Sequence, residues 1–245
     1  MPTFLELCEL AVQHSNVVPR APTTVVGQTG RMGKLVASVI YGWKAVQLAK
    51  ANWLFLRGEW WGTMTIGQAT YTPFQIAFEN ALNVDNAPRF GEWLGDYAGN
   101  RVVSIYDPAV GRQEENYLRQ ISWERWKRSY DIGVHDPNRP TEYCLAPDGT
   151  IRFGSKPDKA YVARGEYRKS PQVLGAGTSG QDDERPDLQE RYHMVIVWRA
   201  IMRMAEIDMR PGGLQAAKGN YAEMIGEMNR DLLPSFTVRS ERPLA

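Results

Sequence analysis

The sequence predicts an α+β protein in which helices from both ends of the chain form a bundle around which a β-rich domain is inserted. Three observations carry this. Apolar residues recur at helical spacing near both termini. The middle instead breaks into short apolar runs between Gly, Pro and Asp turns. Each terminal pair of helices alone would leave an apolar stripe uncovered, and packing the two pairs together buries both. The organisation expected is a bundle of residues 1–52 and 186–233, an inserted β-rich domain at 53–174, a flexible linker at 175–185 and a C-terminal arm at 234–245.

The first helix spans about residues 3–14, where Phe4, Leu7, Cys8 and Ala11 share one face and Leu5, Leu10 and Val12 widen it. Pro19 and Pro22 then forbid regular helix. The next stretch, "VVGQTGRMGKLVASVIYGW", looks at first like a phosphate cradle. A P-loop needs G-x-x-x-x-G-K-[ST]. Here five residues separate Gly27 from Gly33, and Leu35 follows Lys34 where a hydroxyl is required. The G-x-G-x-x-G pattern fails as well, because Gly27 and Gly30 are three apart. A helix start fits better: Thr29 is placed to cap it with its hydroxyl. Behind it Met32, Leu35, Val36, Val39, Trp43 and Val46 make one apolar stripe on a helix of about 20 residues.

"FLRGEWWGTMTIGQATYTP" is rich in Thr and aromatics, is punctuated by glycines and reads as a β-hairpin. Residues 74–120 give no clear order beyond a strand at "RVVSIY". "SWERWKRSY" predicts a short helix capped by Ser122, with Trp123, Trp126 and Tyr130 on one side. Strands follow at 143–146, 151–154 and 161–167, joined by turns at Asp148-Gly149 and Pro157-Asp158. "LGAGTSGQDDERPD" reads as the linker. Residues 188–209 are apolar almost all round and predict a central buried helix, which "PGG" interrupts at Pro211. The last helix carries a narrow seam of Leu214, Ala217, Tyr221, Met224 and Met228 and stops at Pro234. "SFTVRSERPLA" has no helical pattern and reads as an exposed arm.

Composition narrows the function. Of 245 residues 43% are hydrophobic and 23% charged, which is ordinary globular usage. A formal charge of +1 lacks the basic surplus of a protein that grips DNA, leaving only a local patch for that role. No run of about 18 apolar residues predicts a membrane span. The N-terminus lacks a signal-peptide pattern, so synthesis in the cytoplasm is expected. Cys8 and Cys144 stand far apart, which argues against a disulfide framework or zinc site. Eight Trp and eleven Tyr suit either interfaces or core filling.

Candidate chemistry is sparse. Of three histidines, His14 ends the first helix, His135 precedes Asp136 in a turn, and His193 sits on the apolar helix as a core residue. Asp182, Asp183 and Glu184 are expected to be solvated in the linker, and Glu206 and Asp208 face different directions. There is no G-x-S-x-G elbow. We therefore assign no catalytic residue, no cofactor and no metal ligand, and expect no enzyme. Met194, Met202, Met204, Met209, Met224 and Met228 fit either an adaptable surface or a helical core. "FTVRS" alternates apolar and polar residues, as a strand that adds to a sheet edge does, and a disordered tail is the other reading.

The series as a whole resembles the head–tail connector adaptor proteins of tailed bacteriophages. The resemblance runs through "TFLELCELAV", "TVVGQTGRMGKLVASVIYGWKAVQLAKANWLFLRGEW" and "MTIGQATYTP". It resumes at "ENYLRQISWERWKRSYDIG", "RPTEYCLAPDGTIRFGSKPDKAYVARGEYRKSPQVL" and "ERYHMVIVWRAIMRMAE", and closes at "AAKGNYAEMIGEMNRDLLP". It implies a structural virion protein of the neck: a homo-oligomeric ring, usually twelve-fold, between the portal protein and the tail or next connector. Genomic double-stranded DNA would pass through the lumen without sequence-specific binding. It also implies that a C-terminal extension reaches the portal, which in this chain points to Phe236, Val238, Arg239 and Arg242. Two other classes compete. A tail terminator or tube protein would be β-dominated, against the four helices, and a small enzyme would need a site within residues 74–140. A DNA-binding regulator is a weaker third.

Overall fold

The computed structural model describes residues 2–15, 20–73, 77–78, 89–97, 100–133, 135–177, 180–207 and 211–234. The chain opens with helices α1 (Phe4–Ser15) and α2 (Gly30–Leu48). Strands β1 (Arg57–Thr63), β2 (Thr70–Tyr71), β3 (Ala77–Phe78), β4 (Phe90–Trp93), β5 (Ser104–Tyr106), β6 (Asn116–Tyr117) and β7 (Arg119–Gln120) follow. After the short α3 (Trp123–Trp126) come β8 (Glu142–Leu145), β9 (Ile151–Phe153) and β10 (Val162–Lys169). Helices α4 (Met194–Ile207) and α5 (Pro211–Asp231) close the described chain. Two units result, Met1–Leu56 with Pro171–Ala245, and Arg57–Ser170. The fold is thus an α+β helical bundle carrying an inserted sheet-bearing segment.

In the helical unit α4 is central and packs on α1, α2 and α5. One apolar cluster draws on all four helices, including Leu7, Val39, Trp43, Val195, Ile196, Ala200 and Met228. α1 starts with a reciprocal cap: the Thr3 amide donates to Glu6 Oε2 (2.8 Å) and the Glu6 amide to Thr3 Oγ1 (3.3 Å). α2 approaches α4 closely at Gly42, where an added Cβ would sit 2.8 Å from the Ile196 carbonyl oxygen. Buried Gln47 is satisfied by Gln172, accepting from its amide (2.7 Å) and donating to its carbonyl (2.9 Å).

Several local expectations change. Thr29 does occupy the N-cap of α2, but its hydroxyl makes no capping bond. The first helical residue, Gly30, has φ 60°, which turns the opening peptide away from a hydroxyl cap. The expected hairpin after Phe55 does not form. Leu54–Leu56 is a 3-10 turn, β1 pairs with β10 and β3, and β2 pairs with β9 in a different sheet. α4 begins at Met194, after a 3-10 turn at Glu190–Tyr192, and is not apolar all round: Arg203, Glu206 and Ile207 are exposed. Pro211 starts α5 rather than sitting in a break, because the first helical position needs no backbone N–H.

The second unit holds two sheets over a shared core. One runs β3-β1-β10-β5-β6, with β4 also on β10; the other runs β2-β9-β8-β7. β10 alternates inward and outward residues, and Gly165 lies beneath the Trp60 indole, where a Cβ would come within 2.6 Å. Trp60, Met64, Trp93, Ile105, Tyr143, Ile151 and Phe153 from both sheets meet in one cluster. The sheets are linked at Leu118, buried between β6 and β7, whose amide donates to the Val103 carbonyl (2.8 Å). The Asp148-Gly149 turn joins β8 to β9 as its sequence predicts, with Gly149 at φ 78°.

Candidate functional site

The sequence-predicted residues separate by role. The His14 ring leans on Trp198, 5.1 Å between centroids. His135 Nε2 lies 3.0 Å from the Ile132 carbonyl in a turn. His193 is buried; its Nε2 lies 2.7 Å from the Leu188 carbonyl, its Nδ1 has no partner, and burial lowers its pKa. Among the described residues no group of three His, Cys, Asp or Glu side chains could hold a metal. Both cysteines are buried and free, and burial pushes each thiol up to about 12. Met202, Met204 and Met228 are buried, as core packing requires, and Met209 and Asp208 lie outside the described residues. So do Phe236, Val238, Arg239 and Arg242 of the arm.

The acidic cluster does not behave as expected of solvated linker charges. Asp182 Oδ1 accepts from the Val25 amide (2.6 Å) and the Thr24 hydroxyl (3.1 Å). Glu184 accepts from the Gly175 amide (2.6 Å), and its carbonyl accepts from the Phe4 amide (2.7 Å). These acids stitch the segment before α4 to the start of α1 and to the loop before α2. That loop also explains its own glycines. Gly27 and Gly30 take left-handed φ of 67° and 60°, and an added Cβ on Gly33 would lie 2.6 Å from the Gln28 carbonyl oxygen.

Charged clusters in the sheet-bearing unit are braces rather than reaction centres. Glu142 is buried; burial pushes its carboxyl up, but hydrogen bonds from Arg119 and Tyr130 and the charges of Arg119 and Arg125 outweigh this and hold it below its ordinary value. Tyr130 donates to Glu142 Oε2 at 3.0 Å, and Arg125 stands 3.6 Å from Oε1. Asp148 is held down at about 2, first by hydrogen bonds from Thr150 and then by Arg152. Asp96 accepts from Tyr143 (2.8 Å) and from the Val102 and Gln120 amides. The hydroxyls of Tyr130, Thr150 and Tyr143 meet these carboxylates as hydrogen-bond donors that brace them.

What the molecule does present is aromatic–arginine surface. On the helical unit Tyr41 of α2 is exposed, and two guanidinium groups of α4 lie on its ring, Arg199 at 5.2 Å and Arg203 at 5.0 Å. Arg199 also donates to the Tyr41 hydroxyl (3.2 Å). On the other unit Arg57 covers Tyr97 at 4.9 Å, and Trp61 and Tyr117 are exposed. Arg and Tyr are the residues that interfaces concentrate. Sequence reasoning missed Tyr41, although it lies off the Leu35–Val39–Trp43–Val46 stripe; nothing in the sequence marks Arg199 and Arg203 as its partners.

The chain matches the family described as SU10 adaptor protein over residues 45–243. It belongs to that family. The matched span takes in the end of α2, the whole sheet-bearing unit, α4, α5 and most of the arm. No curated protein matches the chain. The adaptor is therefore a structural, non-catalytic component of phage virion assembly, placed in the connector between portal and tail.

Proposed function

We propose that the adaptor assembles as a twelve-fold ring beneath the portal, joining it to the tail and extending the channel through which genomic double-stranded DNA passes. The helical bundle forms the ring wall, and the inserted segment 53–174 offers its surface to the tail or the next connector. The arm docks on the portal through Phe236, Val238, Arg239 and Arg242. Synthesis takes place in the host cytoplasm and the ring ends in the virion neck.

The observation that carries this reading is the family match, which spans four-fifths of the chain and reaches into the arm. A net charge of +1 suits a channel lining that lets a polyanion slide rather than holding it. A ring needs heterologous contacts, with one face of each copy against a different face of the next. Electron microscopy of the full chain mixed with its portal tests the proposal: a twelve-fold ring seated on the portal is expected. Deleting residues 235–245 should abolish attachment while leaving helicity unchanged. Attachment by the deleted chain would reject the arm assignment, and a portal left bare by the full chain would reject the whole reading.

A further inference from the structure

Glycine inside a helix weakens it relative to alanine, so an interior glycine calls for a reason. In α2 the reason is visible at both interior glycines. An added Cβ would meet the Gln28 carbonyl oxygen at 2.6 Å on Gly33 and the Ile196 carbonyl oxygen at 2.8 Å on Gly42. In α5, Gly219 and Gly226 have nothing within 4 Å of where a Cβ would be. They lie two turns apart on the side of α5 away from α4, opposite the buried Ala217 and Met228. No described residue of the same copy comes within 4 Å of a Cβ at either position, so a neighbour has room to approach there.

Charge says what it is. Beside the two glycines stand Glu223 and Glu227, one helical turn apart, both exposed and in no ion pair with a described residue. Lys218 and Arg230 bracket them, so the acidic stretch is only about two turns long. Arg199 and Arg203 of α4 are also one turn apart and are fixed on the Tyr41 ring. α2, which supplies that ring, contains no acidic residue, and its exposed Lys34 and Lys44 make no ion pair with a described residue. Among the described residues, the carboxylate paired with these arginines is Glu206, 3.7 Å from Arg203. Two carboxylates at one-turn spacing match two guanidinium forks at the same spacing.

We infer that the occupant of each face is a second copy of this chain. Glu223 and Glu227 of one copy pair with Arg199 and Arg203 of the next, and Gly219 and Gly226 let the backbones come close. Donor and acceptor faces lie on different helices of the same unit, so the contact is heterologous and propagates, as a ring requires. This rests on the ring reading above and assigns its subunit contact.

The test is a charge swap in the full chain. R199E/R203E and E223R/E227R are each expected to weaken self-association at least tenfold by analytical ultracentrifugation, and to leave incomplete rings on the portal by electron microscopy. The fourfold swap, in which the signs are complementary again, is expected to restore both. K34E/K44E alters only the flanking surface charge and gives a second, milder loss should the arginine variant fold poorly. Rings that persist in all single-face variants, or a fourfold swap as defective as its parents, would overturn the face assignment while the ring reading stands. A wild-type chain that never self-associates, alone or on the portal, would overturn both. Loss of duplex DNA binding in R199E/R203E with intact rings would give the basic face to DNA instead.

Discussion

Gly42→Ala probes the contact that joins the two ends of the chain. The new Cβ would stand 2.8 Å from the Ile196 carbonyl oxygen and 3.2 Å from the Ala200 amide nitrogen, both backbone atoms of α4 that cannot rotate away. Ordinary contact begins near 3.4 Å, so α2 and α4 must separate by about 0.6 Å. A gap of that size forfeits about a quarter or more of the dispersion contact along the seam, where Val39, Trp43 and Val46 face Val195, Ile196 and Ala200. Overpacking of this kind costs about 1–3 kcal/mol, and the better helix propensity of alanine returns up to about 1 kcal/mol. The net expectation is a loss of about 1–2 kcal/mol, or roughly 2–8 °C in the midpoint for a chain of this size. Thermal unfolding followed by helical circular dichroism reads it directly. Gly226→Ala is the control: with open space around the Cβ it should stabilise the unassembled chain by up to about 1 kcal/mol. A Gly42→Ala protein as stable as the wild type would refute the claim that α2 and α4 are packed backbone to backbone.

Other outcomes follow from the titrating groups. Glu142→Gln should cost about 1–2 kcal/mol at neutral pH, since it leaves Arg119 and Arg125 without their carboxylate. Because Glu142 is held below its ordinary pKa in the fold, its contribution is present above about pH 4.5 and disappears as pH falls through the folded value. Melting curves of wild type and variant should therefore converge in acid. His193 behaves alike in sign for a different reason: its pKa is lowered by burial, so the neutral ring is favoured in the fold. Stability should be full above about pH 6.5 and fall as pH drops below it, and His193→Leu should flatten that part of a pH series. Cys8 and Cys144, both buried with thiols pushed up to about 12, should resist a thiol reagent at pH 8 and react only after denaturation, as absorbance titration would reveal.

The helical half of the fold was legible because each helix writes its buried face at a fixed spacing. Phe4, Leu7, Cys8 and Ala11, and Leu35, Val39, Trp43 and Val46, are all buried as their periodicity requires. The strands were harder. Most are two to four residues long, too short for alternation to declare itself, and their partners are remote: Trp60 pairs with Gly165, not with a neighbour across the Gly67 turn. Of the glycines that suggested a hairpin after Phe55, Gly58 and Gly62 lie inside β1, and Gly67 marks the passage from one sheet to the other. The acids at 182–184 were misjudged for the same reason, since the Thr24 and Val25 groups that Asp182 binds are far away in sequence. The candidate interface was invisible for want of any local sign that Tyr41 would meet Arg199 and Arg203.

Because α4 sits at the centre of the bundle, α1 and α2 have only each other to pack against until residues 194–207 have been synthesised. On the ribosome, two greasy helices must wait for α4 while the whole of Arg57–Ser170 is translated. At about 5–20 residues per second the delay is on the order of ten to thirty seconds. During it, Leu7, Val39 and Trp43 are bait for chaperones. A chain that stops short of α4 lacks the helix on which α1, α2 and α5 pack.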